Sequence, residues 1–312
     1  DVESLRVALG LDKITLWGGS YGSHLALAYL RNHSDHVERA VLTKVEGPDH
    51  TFKLPSSVQS ALDKVSALAA EDDALKAAMP SLTDAIRTLA KRLEKEPVTV
   101  KVETEDGDVE IVVGAFDLRR EIAGALGGIR SLAEVPAQVH AMLEGDFSEL
   151  GAAALQSRRS EVWSMMTVMM DCASGASAER WKRIAREAAN PANLTGDTIN
   201  APFGPLVREA AGDVALPAAF REPIQSDAKV LFVTGSLDAR TPPSNLDDIA
   251  PGFPNHVHIA VTGVTHDSFE MLSPDYQRVL RAFLNGEEVK SQTIGINEMR
   301  FRPLGRRGQG KR

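Results

Sequence analysis

The stretch Leu16-Trp17-Gly18-Gly19-Ser20-Tyr21-Gly22-Ser23 constrains the chain more than any other. It carries the spacing G-x-S-x-G at Gly18, Ser20 and Gly22, and its two flanks differ in kind. Lys13-Ile14-Thr15-Leu16-Trp17 reads as a short apolar strand, whereas His24-Leu25-Ala26-Leu27-Ala28-Tyr29-Leu30-Arg31 keeps its apolar residues at helical spacing. A strand, a glycine turn and a helix, with serine at the corner, is the context of a nucleophile elbow. The corner strains the serine backbone, and residues without Cβ leave room for the helix to pack back against the strand. The helix start then offers unpaired N–H groups and a positive dipole end where an oxyanion develops. Without those flanks, the same spacing is a glycine-rich turn with a capping serine.

A serine hydroxyl is a weak nucleophile at neutral pH and needs a base, which in turn needs an orienting carboxylate. Asp238 lies three residues beyond the apolar strand Lys229 to Gly235, where strand ends deliver side chains to a cleft. His266 follows the next strand, Val257 to Val261, in the loop Thr262-Gly263-Val264-Thr265-His266-Asp267. Taken singly, Asp238 is a turn or cap residue ahead of Pro242, and His266 is a loop histidine. Taken together, each just past an apolar strand and 28 residues apart, they complete a Ser20, Asp238, His266 triad. Asp267 is a secondary candidate for the orienting acid. Asp247 and Asp248 fall on a predicted helix in water, and His24, His33 and His36 read as surface or packing residues.

The remaining chain divides by pattern. Residues 1–12 look like the end of a helix, with Val2, Leu5 and Leu9 on one face and Gly10 as its stop. Arg39-Ala40-Val41-Leu42-Thr43 is the strand after the elbow helix, so this opening is a βαβ unit with a parallel, buried sheet. From about 51 to 221 the chain is mostly helical, with Ala-rich segments at 57–79, 81–95, 117–127, 132–144, 148–156 and 178–190. A hairpin interrupts them, Val98 to Val102 and Val109 to Val113 about an Asp106-Gly107 turn. Sheet pattern resumes at 229, with a short helix near 244–250 and a final helix over 274–284. The expected architecture is α/β: a parallel-sheet core in two segments, 1–50 and 222–289, an inserted helical lid over 51–221, and a basic tail over 290–312.

Composition narrows the function classes. The 312 residues carry a net charge of −8, which argues against general affinity for nucleic acid or anionic membranes. No uninterrupted apolar run is long enough to span a bilayer. Cys172 is the single cysteine, so neither an intrachain disulfide nor a cysteine-based metal site is expected. That is compatible with a cytoplasmic or a secreted protein. The abrupt opening at Asp1 suggests a fragment or a processed chain.

The elbow with its helix, the following His33-Ser34-Asp35-His36-Val37-Glu38-Arg39-Ala40-Val41-Leu42, and the segments Val233 to Pro243 and Gly263 to Asp267 resemble the prolyl and tripeptidyl aminopeptidase branch of the α/β-hydrolases. Phe116-Asp117-Leu118-Arg119-Arg120, Val135-Pro136-Ala137 and Gly145-Asp146-Phe147 resemble its lid, and the likeness runs from Asp1 to about Glu288. The resemblance implies an α/β-hydrolase core and a serine exopeptidase acting on short peptides through an acyl-enzyme. Ser20 would attack, His266 would serve as base and then acid, Asp238 would hold the imidazole, and the Tyr21 N–H would supply half of an oxyanion hole. In such exopeptidases lid carboxylates take the substrate ammonium; the candidates here are Glu46 and Asp171, each of which also reads as an ordinary solvated acid. No metal or organic cofactor is implied. The family carries earlier strands and a His-Gly-rich loop before the elbow, so an N-terminal segment or partner chain is expected to complete the sheet. An esterase with the same triad, or a catalytically silent binding protein on a truncated hydrolase fold, are the alternatives.

Overall fold

The tight strand-to-helix corner expected at Ser20 organises a computed structural model of the chain, which describes residues 1–159, 165–201, 204, 212–267, 271, 273–296 and 299–305. In chain order, helix α1 (Val2–Ala8) leads to strand β1 (Ile14–Ser20), helix α2 (Tyr21–His33) and strand β2 (Val37–Val45). Next come α3 (Pro55–Ala69), α4 (Asp73–Ala78), α5 (Leu82–Lys95) and the hairpin β3 (Val98–Thr104) with β4 (Gly107–Val113). Helices α6 (Ala115–Ala125), α7 (Ile129–Leu143), α8 (Ser148–Arg159), α9 (Met165–Ser174) and α10 (Ala178–Ala188) follow. The chain then returns to β5 (Val230–Gly235), α11 (Asn245–Ile249), β6 (His256–Thr262), α12 (Pro274–Leu284) and β7 (Gln292–Gly295).

Among the described residues, five strands form one all-parallel sheet in the order β1-β2-β5-β6-β7. Because side chains alternate along a strand, each strand feeds both faces. Ala40 and Leu42 of β2 and Val230 and Phe232 of β5 pack with Leu27 and Leu30 of α2 and with Phe253. Val41, Leu231 and Val233 point the other way, onto Tyr276, Leu280 and Phe283 of α12. Burial on both faces explains why β5 reads as an unbroken apolar run rather than an alternating one. Among the described residues β1 is an edge strand, and its Trp17 is 53% exposed.

Two compact units emerge, and neither is one continuous stretch. The first takes the described residues of Asp1–Lys53, Met169–Lys182 and Gly204–Glu298; the second takes those of Leu54–Val168, Arg183–Phe203 and Met299–Arg312. The second unit packs Leu62, Leu89, Leu93, Leu118 and Val135 as fully buried side chains. Within it α8 lies close against the hairpin, since a Cβ on Gly151 would sit 2.5 Å from Val100 Cγ1.

Several sequence expectations need correction. The 51–221 insertion is not one body, because 169–182 and the described part of 204–221 group with the sheet. Polar ties hold that stretch there: the Asp49 carboxylate accepts from the Ser177 N–H and hydroxyl, both at 2.6 Å, and Arg180 Nε donates to the Phe52 carbonyl at 2.8 Å. The helix expected over 57–79 is two helices, because Asp72 caps a new start through the N–H groups of Ala74 and Leu75. Helix α9 had no counterpart in the reading of the sequence. The 290–312 tail is also partly ordered: Gln292–Gly295 pairs with β6, and Arg302 bridges Glu134 and Glu149. Residues 297, 298 and 306–312 of that tail lie outside the described residues.

The glycines of the elbow divide by role. A Cβ on Gly18 would lie 2.2 Å from the Gly22 carbonyl oxygen, and one on Gly19 would lie 2.8 Å from Thr43 Oγ1. A Cβ on Gly22 meets nothing within 4 Å, so the steric demand belongs to Gly18 and Gly19 rather than to Gly22. Gly18→Ala is therefore expected to cost about 3 kcal/mol. Gly22→Ala, inside a helix, should gain about 0.5 kcal/mol. Urea unfolding midpoints check both, and equal destabilisation would contradict the assignment.

Candidate functional site

Ser20 ends β1 and caps α2 with φ 55 and ψ −124, a left-handed conformation that costs a non-glycine residue about 1–3 kcal/mol. The surroundings hold it there. The Ser23 hydroxyl donates to the Ser20 carbonyl at 2.6 Å and accepts the Glu46 N–H at 2.9 Å, so one buried side chain ties the corner to the exit of β2. The register between β1 and β2 slips at this point: Gly19 pairs with Thr43 and Ser20 with Val45, leaving Lys44 as an extra residue at φ 49.

The sheet brings the expected acid and base to this corner. His266 Nε2 lies 2.9 Å from Ser20 Oγ, and His266 Nδ1 lies 3.0 Å from Asp238 Oδ2. Asp238 Oδ1 accepts the N–H groups of Arg240 and Thr241, both at 2.8 Å, and Oδ2 accepts the Thr241 hydroxyl at 2.7 Å. Asp238 thus caps its own turn, the bland role the sequence allowed, and faces the imidazole as well. The two loops are laced together: Leu237 N–H donates to the Val264 carbonyl at 3.0 Å, and Gly263 N–H donates to Ser236 Oγ at 3.0 Å. Asp267 instead accepts the Thr265 hydroxyl at 2.6 Å. Among the described residues no group of three or more His, Cys, Asp or Glu side chains could hold a metal ion. No helix there is long and apolar enough to cross a membrane.

Glu46 and Asp171 also gather beside the elbow. Burial first, then the charges of Glu46 and Asp171, raise the Tyr21 phenol above its ordinary range. Glu46 is already paired: Lys53 Nζ donates to its Oε2 at 2.9 Å and to the His50 carbonyl at 3.0 Å. Asp171 is half-buried, and burial pushes its carboxyl up to about 6 against the pull of Lys53.

Two buried histidines brace the loop after β2. His24 Nδ1–H donates to the Gly47 carbonyl, and its Nε2 accepts the Ser174 hydroxyl, both at 3.0 Å. His50 Nδ1 accepts the Gly47 N–H, and its Nε2–H donates to Asp248, both at 3.1 Å. Each is satisfied as the neutral ring, and burial holds both below the usual histidine range. The sequence left His24 as either a surface or a packing residue, and it is buried; Ser23, Lys53 and Thr241 were missed. Thr241 had a signal, since a threonine three residues after an aspartate is a standard turn partner.

A family profile described as alpha/beta hydrolase fold matches residues 1–99. Proline iminopeptidases from two strains of Xylella fastidiosa are 50% identical over 42 residues, 14% of this chain and 13% of theirs, so the match spans a small part of those relatives. Similar solved structures include the meta-cleavage product hydrolase CumD of Pseudomonas fluorescens, 12% identical over 92% of this chain and 70% of that one, with a TM-score of 0.37. A Thermogutta terrifontis esterase is 13% identical, covering 92% and 70% of the two chains at a TM-score of 0.32. The fold is the α/β-hydrolase fold.

The histidines give a pH expectation. A histidine whose folded pKa is depressed contributes stability above the unfolded value of about 6.5, lost as pH falls below it. Unfolding midpoints should drop between pH 7 and pH 5. His50→Asn, which keeps an acceptor for Gly47, should lessen that drop; an unchanged slope would refute the contribution.

Proposed function

We propose that this chain is a serine hydrolase of the exopeptidase kind, removing residues from peptides with a free N-terminus. The observation that carries the reading is the continuous line from Asp238 through His266 to Ser20, with the serine held at a strained corner. Ser20 Oγ attacks the acyl carbonyl while its proton passes to His266 Nε2, and Asp238 stabilises the imidazolium. The Tyr21 N–H, at the start of α2, donates to the oxyanion. His266 then protonates the leaving amine, and a water, deprotonated by the same nitrogen, releases the acyl group and restores Ser20.

The amine preference rests on the resemblance, the short iminopeptidase match and the acids beside Tyr21. Glu46 is neutralised by Lys53, so Asp171 supplies the net negative charge for an incoming ammonium. Because Asp171 ionises near 6 and a peptide amine loses its proton near about 8, kcat/KM on a free-amine substrate should peak between those values. Asp171→Asn is expected to raise KM for a proline arylamide roughly thirtyfold, the equivalent of about 2 kcal/mol, with little change for the N-acetylated form. The same variant should match the wild type in melting temperature at pH 4 and exceed it at pH 8, because a raised carboxyl destabilises the fold only once ionised.

Fluorophosphonate labelling tests the nucleophile directly. Label should appear on the wild type and vanish in Ser20→Ala and His266→Ala, and Asp238→Asn should lower turnover by about 10⁴. A folded wild type that never labels would sink the serine-hydrolase reading. Labelling with equal rates on free and blocked amines would sink the exopeptidase reading alone and favour an esterase.

A further inference from the structure

We propose that Thr241 is a positioning residue of this active site, its hydroxyl fixing the carboxylate plane of Asp238 so that the imidazole of His266 aims at Ser20. The inference rests on the serine-hydrolase reading above. Its basis is a difference between the two carboxylate oxygens. Oδ1 is pinned by two backbone N–H groups, those of Arg240 and Thr241, each at 2.8 Å. Those bonds would survive almost any side chain at 241 other than proline. Oδ2, the oxygen nearer to His266, is held by the Thr241 hydroxyl at 2.7 Å. The torsion that turns a carboxylate is broad and two-fold. Both oxygens turn together about that torsion, so the backbone N–H groups on Oδ1 and the hydroxyl on Oδ2 restrain it from opposite ends, and the imidazole reads the result: His266 Nδ1 lies 3.0 Å from Oδ2 and 3.2 Å from Oδ1.

The hydroxyl reaches both partners. Its proton goes to Asp238 Oδ2, and its oxygen lies 3.2 Å from His266 Nδ1, so a lone pair faces the ring N–H that the acid also accepts. Asp238 and Thr241 are each 1% exposed, which leaves no room for bulk water to replace the bond. Valine at 241 would keep the shape and set a methyl group against a buried carboxylate oxygen, leaving it short of a partner. The carboxylate would then turn toward its remaining donors, carrying the imidazole off the 2.9 Å line to Ser20. Bond formation at Ser20 should suffer, whereas acyl-group binding, which uses other surfaces, should not.

The test compares Thr241→Val, Thr241→Ser and Thr241→Cys with the wild type, using a fluorophosphonate probe for inactivation and p-nitrophenyl acetate for turnover. Valine should lower the maximal inactivation rate and kcat about ten- to a hundredfold, the scale of a small misplacement, with the probe's half-saturation and KM nearly unchanged. Serine should restore both rates, and cysteine, a weak donor, should fall between. Should the valine protein fail to fold, the serine and cysteine pair decides, and equal rates for those two would overturn the proposal. It is also overturned if valine reacts like the wild type, or if serine falls as far as valine, which would assign the effect to the lost methyl packing. A wild type that does not label overturns the serine-hydrolase reading itself. A wild type that labels beside an unaffected valine variant overturns this inference alone.

Discussion

The close approach of α2 to β1 is the constraint on which the rest depends. Gly18 passes so near the Gly22 carbonyl that no side chain fits between them, and this forces the chain to reverse from strand to helix within one residue. Ser20 takes the whole reversal as a left-handed backbone. Such strain persists only where neighbours over-determine it. Here they include Ser23, Thr43 and the slipped register at Lys44, so the corner is paid for by the sheet and by the first turn of the helix.

From that corner the site spreads by hydroxyl groups rather than by charge. Ser23 joins the elbow to β2, Ser174 joins the elbow helix to the end of α9 through His24, and Ser236 joins the acid loop to the histidine loop. Ser23 and Ser174 each satisfy a buried polar atom, which unpaired would cost about 1–3 kcal/mol. A buried ion pair, Lys53 with Glu46, adds a lysine bond to the His50 carbonyl. It therefore fixes local geometry more than it adds stability.

Much of this was legible in the residues. The elbow, the strands at 37–45, 230–235 and 256–262, the hairpin and the final helix follow from spacing, because burial imposes period two or 3.6. The pairing of Asp238 with His266 was legible because both sit just beyond apolar strands. Helix α9 escaped because Met165 to Cys172 is nearly uniformly apolar and shows no polar face to mark its period. Strand β7 escaped because four residues with Gln and Thr among them look like any loop, and only pairing with β6 makes them a strand. The division into units was illegible for a related reason: single side chains such as Asp49 and Arg180 decide it, and such ties carry no periodic signal.

The distance along the chain between Ser20 and His266 has a consequence in time. Ser20 and His266 are 246 residues apart in sequence although hydrogen-bonded in space. At about 5–20 residues per second, a ribosome delivers the serine roughly 10–50 s before its histidine. During that interval β1, α2 and β2 can assemble, but the hydroxyl they present has no base. On the proposed reading the nascent chain is therefore chemically quiet until the loop that follows β6 has been made.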